Sequence, residues 1–503
     1  MKHLTNPRIY LIAISTAFVL HSFHFNYFVC DDAFISFRYA KNLISGHGLV
    51  WNIGEQPPIE GYTNFLWVII ISLFMKMGFE PVTVSKALNI FFGLCCIFLT
   101  YSFSELILQR KSFLNLTAPV ILACCGSFAA WSIEGLETLM FTLFILAAVI
   151  TYLYETQNDK VLFFSAILFV LASLTRPEGL LIFAVTCLHR FAQFHLLKKN
   201  PFCRKTVIWF LTFLILYGSY FYWRFNYYGF LFPNTFYAKT GGGIYQFWRG
   251  FRYFVYFTLY NKWPILIALG LPLLFKPLRS AIAYLLMLSI SFSGYIMLIG
   301  GDFFAMFRFF MPIVPLLAIL VQEEVISFIQ WCIKLRHPKF IKLSVITLCS
   351  SIFILILAMS LKSSFKGHEL FMYFKHQRIA NTLASEGKWL HQHAFPDETI
   401  ASVGIGAISY YSELTTIDRL GITDIHVAHT TMPHMGKGVP GHEKRNFSYI
   451  LSKKPTYFFG KLIDPKKSTY FKPSDSEIRK FNQLYKSFQI REPNLKVSLY
   501  KLK

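Results

Sequence analysis

Two adjacent carboxylates, Asp31 and Asp32, close a long apolar segment and open the run CDDAFISFRYAKNLISGHGLVWNIGEQPPIEGYTNFLW, Cys30 to Trp67. Paired acids at the mouth of a membrane helix cost solvation energy, and such placements are as a rule functional. One of the two could act as a general base on an acceptor hydroxyl. The other could orient it, or ligate a divalent cation that neutralises a phosphate. Either could instead cap the helix that follows, since Asp there accepts backbone N–H groups, but capping accounts for one acid and not both. Two acids this close titrate as a coupled pair.

More acids and cations stand in loops further along. Glu55 and Glu60 lie in a Gly/Pro-rich loop. Glu134 and Glu137, three apart at a span boundary, could share one side of a helix start or simply suit its dipole. Arg176-Pro177-Glu178 opens a helix with Pro in its first turn. An arginine on the non-cytoplasmic side breaks the usual charge rule, and a phosphate ligand would account for it. Asp302 and Arg308 could pair with each other or bind a donor. His434, His442, Glu443, Lys444 and Arg445 surround Gly436 to Gly441 as a polar loop whose spacing is poor for a metal. The aromatic loop of Tyr227, Tyr228, Phe230, Phe232, Phe236 and Tyr237 reads as an interfacial belt or as the lining of a lipid or sugar groove.

The elements that must position these residues are membrane helices. Of 503 residues, 54% are hydrophobic and only 15% charged, well under the charge of soluble domains. The net charge of +23 would suggest nucleic acid in a soluble chain; here it collects in short loops, where it sets orientation, and no nucleic-acid partner is expected. Lys2 and Arg8 flank the first span, 9–29, expected to be a retained anchor, which sends Asp31 and Asp32 to the far side. Residues 33–44 form an amphipathic run suited to the membrane interface. Reading 65–77 as a second interfacial helix keeps every later basic cluster cytoplasmic. Further spans are then predicted at 82–108, 116–132, 136–155, 161–175, 178–196, 206–225, 259–275, 280–299, 309–331 and 343–361, giving about eleven in all. This count gathers the motif-bearing loops on one outer face. A membrane domain, 1–361, is followed by a polar domain, 362–503, with a helix predicted over 376–393 and strands at 399–403, 415–417 and 456–459. The nine cysteines show no disulfide framework or CxxC spacing. Gly404-Ile405-Gly406 is not a nucleotide fingerprint.

With these residues in place, the chain resembles the GT-C glycosyltransferases, multispan enzymes with an acidic motif in the first outer loop. Within them it is similar to the mycobacterial terminal arabinofuranosyltransferase (AftB-like) type and the LphB-like proteins of Gram-negative bacteria. The matching pieces are DDAFISFRYAKNL, GHGLVWN with EGYTNFLW, EGLET, LTRPEG, PNTFYAK, GGDFF with RFFMP, and GAISYY through DRLGITD to GHEKR. The resemblance implies a mainly α, polytopic GT-C-like protein with a small α/β C-terminal periplasmic domain. It implies a first-loop aspartate, Asp31 or Asp32, as base in an inverting transfer, and donor phosphate near Arg176 and Arg308. Arg38, Glu60, Tyr62, Asn64 and Asn234 lie in the matching motifs and join Glu134, Glu137, Glu178, Asp302, His442 and Glu443 as substrate-binding candidates. The implied donor is a polyprenyl-phosphate sugar, arabinofuranose or a related pentose, used at the periplasmic face of a bacterial inner membrane, among membrane lipids. The LILQRK and KKNPFCRK loops and the lysine-rich tail do not look mycobacterial, which turns the expected acceptor toward lipopolysaccharide or another envelope glycan. The one cofactor candidate is a divalent cation, with Asp31 and Asp32 as its candidate ligands, and metal dependence stays open. A lipid-linked glycan flippase is the rival class; it would carry charged or broken segments at mid-membrane, whereas these spans are nearly free of charge.

Overall fold

The computed structural model describes residues 7–159, 164–196, 203–263, 279–334, 338–460, 472–492 and 495–503. In lipid every backbone polar group must be paired within its own segment, so long apolar runs fold as helices. Among the described residues, seven helical stretches are long and apolar enough to cross a membrane. They are Pro81–Leu106, Thr138–Gln157, Gly179–Leu196, Arg204–Tyr228, Ser280–Ile299, Ala305–Lys334 and Lys339–His393. The last breaks into Lys339–Ser363 and His368–His393. Pro7–His24 and the shorter Phe65–Lys76 and Phe164–Thr175 accompany them. The chain is a polytopic helical membrane protein with a small C-terminal sheet.

Boundaries follow local chemistry. Glu80 accepts from Thr83 N at 2.7 Å and Pro81 stands in the first turn, starting one helix; Gly229, with φ of 77°, ends another.

Four expectations change. The span expected at 116–132 is interrupted where Cys125 turns extended, leaving Thr117–Cys124 and Gly126–Trp131. The span expected at 309–331 begins as a helix only at Val314, after a tight turn Ala305–Ile313. The one expected at 259–275 lies mostly outside the described residues, and before it stands an amphipathic helix, Gly243–Tyr260, that was not expected. The first-loop helix, Asp31–Ile44, is not simply laid on the interface: Ala33 to Ala40 and Asn42 are all buried, because the C-terminal part covers the side that would have met water.

That C-terminal part carries a five-stranded sheet in the order β2-β1-β3-β5-β4. β1 (Thr399–Ser402), β2 (Thr415–Asp418) and β3 (Tyr457–Phe459) fall where strands were predicted. The hairpin of β4 (Tyr485–Glu492) and β5 (Leu495–Leu502) was not foreseen. Side chains alternate across the sheet: Ile400, Tyr457, Phe459 and Leu499 pack with Leu390 of His368–His393, while Ala401 and Phe458 pack with Ile450 and Phe481.

Candidate active site

The first-loop helix presents two working faces. Asp32, Ile35 and Ser36, spaced i, i+3, i+4, line one side of a cavity of about 480 Å³. Asp31, Phe34 and Arg38, spaced i, i+3, i+7, turn the other way, toward the C-terminal part. The twin acids are thereby separated in kind.

The cavity draws on loops far apart in sequence: Tyr62 and Asn64, Glu137, Arg176 and Glu178, Lys239, Arg249, Asp302 and Arg308, with Ile422, Pro440 and Gly441 from the C-terminal part. Its apolar wall is built by Leu180, Leu181, Tyr295, Ile299, Phe232 and Phe236. Arg176 donates to Glu137 Oε1 at 2.6 Å and forks onto Glu178 at 2.9 and 3.2 Å. Burial works against the Arg176 charge, yet Glu178 and Glu137 together hold the guanidinium above its ordinary value. Asn64 completes this group by donating to Glu137 Oε2 at 2.7 Å. Tyr62 meets the Tyr228 hydroxyl at 3.0 Å.

Arg308 pairs with Asp302 at 2.8 Å and stands 4.0 Å from Asp32. It lies among the rings of Phe304, Phe309 and Trp131, at 4.9, 5.0 and 5.5 Å, which suits a planar cation. Met306 and Phe307 just before it have φ of 62° and 54°, an outlying conformation for bulky residues that costs about 1–3 kcal/mol each. The strained turn is held by Trp131 Nε1 donating to Met306 O at 2.8 Å and by Met306 N donating to Glu369 at 3.0 Å. Gly301, at φ of 70°, leaves no room for a side chain: a Cβ would come within 2.7 Å of the Tyr253 ring.

Lys239 was not singled out among the candidate site residues, although it ends the quoted PNTFYAK motif. Its only sequence signal was one cation at the end of an aromatic loop. It lines the cavity and, among the described residues, has no hydrogen-bond or ion-pair partner. Burial lowers its pKa, with Asp32 pulling the other way. Arg249, also missed, lines the cavity while pairing with Glu443 at 2.8 Å.

The remaining candidates are not among the residues that line this cavity. Asp31 accepts from Gly406 N at 3.0 Å and Ala407 N at 2.8 Å; burial pushes its carboxyl up to about 6 against those two bonds. It is a helix cap after all, though for Gly406–Ser412 and not for its own helix. Arg38 donates to Trp51 O, Ser409 O, Asn52 Oδ1 and Leu414 O at 2.6 to 3.1 Å. Glu60 forms a buried two-pronged pair with Arg224, at 2.5 and 3.0 Å. Burial carries Glu60 to about 7 despite that partner. Glu134, also raised to about 7 by burial, accepts from Gln377 at 2.8 Å. Asn234 donates to Gly421 O and Ile422 O at 2.8 and 3.0 Å. Glu443 accepts from Gly438 N at 2.7 Å as well as from Arg249. His442, beside the cavity-lining Gly441, sets its ring 4.5 Å from that of Phe303, and burial lowers its pKa. Among the described residues no group of three or more His, Cys, Asp or Glu is placed to hold a metal ion.

The multispan helical frame, with Asp32 and basic loops meeting at one cavity, is that of a polytopic membrane protein, and its fold is similar to those of solved GT-C membrane proteins. The crystal structure of ArnT from Cupriavidus metallidurans bound to undecaprenyl phosphate matches 98% of this chain and 97% of its own, with a TM-score of 0.59 at 9% identity. The archaeal oligosaccharyltransferase AglB from Archaeoglobus fulgidus, in complex with an inhibitory peptide and a dolichol-phosphate, matches 82% of this chain and 64% of its own, with a TM-score of 0.52 at 12% identity. At such identities the likeness is one of fold. A domain of unknown function, DUF8728, matches residues 372–498. No curated protein matches the sequence.

Proposed function

We propose that this chain is an inverting glycosyltransferase that moves one sugar from a polyprenyl-phosphate donor to a hydroxyl of a bacterial envelope glycan. The observation that carries the reading is a single cavity holding Asp32, a lysine with no hydrogen-bond or ion-pair partner among the described residues and a ring-flanked arginine, beside an apolar wall. Asp32 takes the proton of the acceptor hydroxyl as that oxygen attacks the anomeric carbon. The bond from that carbon to the phosphate oxygen breaks, and polyprenyl phosphate departs with the electron pair. Lys239 and Arg308 offset the charge growing on the phosphate, where preorganised donors are most effective. Leu180, Leu181, Tyr295 and Ile299 offer the lipid chain its way out. The fold neighbour solved with undecaprenyl phosphate supports a donor of this kind.

The motif resemblance favours arabinofuranose or a related pentose, and the non-mycobacterial loops favour lipopolysaccharide or another envelope glycan as acceptor. The charge pattern favours an inner-membrane setting, with the cavity and residues 362–503 as a periplasmic domain and 1–361 as the membrane domain. Mass spectrometry of envelope glycans from a deletion strain tests the reading. Loss of one sugar mass, restored by the wild-type gene and not by Asp32→Ala, is the expected result. Glycans unchanged by the deletion would refute it.

A further inference from the structure

The residues that hold the first-loop helix against the C-terminal part lie on the face opposite Asp32. Asp31 accepts from the first two N–H groups of Gly406–Ser412. Phe34 packs against Tyr410 and Tyr411, with ring centres at 5.5 and 5.4 Å. Arg38 reaches Ser409 O and Leu414 O at 2.6 and 3.0 Å, and Lys41 pairs with Glu413. These four residues run along a single stripe of the helix. The approach is as close as backbone allows: a Cβ at Gly406 would lie 1.8 Å from the Asp31 carbonyl oxygen. One helical position later, Asp32 faces the cavity.

We infer that Gly406–Ser412 is a clamp that fixes the rotation of the first-loop helix about its own axis and so aims Asp32 at the acceptor. Asp31 is a positioning residue acting through that clamp. The inference rests on the proposed role of Asp32 as base. A helix anchored along one stripe cannot roll, and a roll is the motion that would swing a carboxylate at the next position off its target. Donor binding depends on Lys239 and Arg308, which stand on other elements, so loosening the clamp spares it.

The test uses the full chain in lipid nanodiscs, with membranes of the deletion strain supplying donor and acceptor, and undecaprenyl phosphate as the binding probe. Two variants loosen the clamp without touching the cavity: Gly406→Ala, which forces the two backbones apart, and Asp31→Asn, whose amide offers one acceptor oxygen to two N–H donors. A small displacement of a catalytic group is enough to lower turnover by about 10- to 100-fold. The expected result is that loss in kcat for both variants, with KM and undecaprenyl phosphate affinity as in wild type and a melting temperature that falls but stays well above the assay temperature. Wild-type kcat in both, while Asp32→Asn is inactive, would overturn the clamp and leave the base standing. Parallel loss of kcat, lipid affinity and melting temperature would reduce the seam to a folding contact and also overturn it. Turnover by Asp32→Asn would instead strike the base assignment itself.

Discussion

The seam between the first-loop helix and the C-terminal part differs from the cavity behind it in how fully its polar groups are partnered. At the seam, Asp31 has two backbone donors and Arg38 four acceptors, and in the loop beyond the helix Glu60 has the buried Arg224 guanidinium on both oxygens. In the cavity, Lys239 has no partner among the described residues, and Asp32 has only Arg308, at 4.0 Å. Both regions are built from the same residue types in the same motifs. A group whose bonds are complete holds the fold, whereas one left short of partners is available to a substrate.

The sharpest way to break that contrast is Asp32→Asn. Removing a general base lowers turnover by about 10²- to 10⁴-fold, and since Asp32 makes no close bond, the melting temperature should hold; an assay of sugar transfer beside a thermal melt reads both. Glu60→Ala should do the reverse. It leaves Arg224 buried without its carboxylate, a loss of about 3–5 kcal/mol, seen as a much lower melting temperature in detergent. A Glu60→Ala protein as stable as wild type would erase the distinction from the other side.

Lys239→Gln probes the cavity more finely. Losing one charge-assisted bond, about 1.5–3 kcal/mol, should weaken undecaprenyl phosphate binding by at least about tenfold without changing the melt. Because burial lowers the Lys239 pKa, its charge should fade below the usual lysine range, and donor KM should rise on that alkaline limb. Lys239→Arg, which keeps its proton there, should flatten the limb. The smallest effect is expected from Asn234→Ala, which removes two bonds to backbone carbonyls and should cost about 1 kcal/mol of stability with transfer intact.

Much of this was legible before any coordinates. Acids and cations confined to loops between uncharged runs marked the parts that meet at the cavity: Asp32, Asn64, Glu137, Arg176, Glu178, Asp302 and Arg308 all line it. Three strands and the helix His368–His393, expected over 376–393, were visible from the sequence pattern. What sequence could not do was tell Asp31 from Asp32. Their difference is set by Gly406 and Ala407, more than 370 positions away, and no local pattern carries it. Lys239 was hidden among aromatics that read as an interfacial belt. Glu60 and Arg38 carry side chains that an ion pair and a substrate contact use alike, and no local pattern shows that both are buried and bonded away from the cavity. The β4–β5 hairpin was missed although Leu495-Lys496-Val497-Ser498-Leu499 alternates apolar and polar as a strand does.

The most direct measurement is a cryo-electron-microscopy structure in nanodiscs loaded with undecaprenyl phosphate. The phosphate is expected in the cavity, within about 4 Å of Lys239 Nζ, with the lipid chain leaving past Leu180 and Ile299 and Asp32 facing the space where a sugar would sit. A phosphate bound elsewhere, with Lys239 untouched and the cavity empty, would contradict the assignment of this cavity as the donor site.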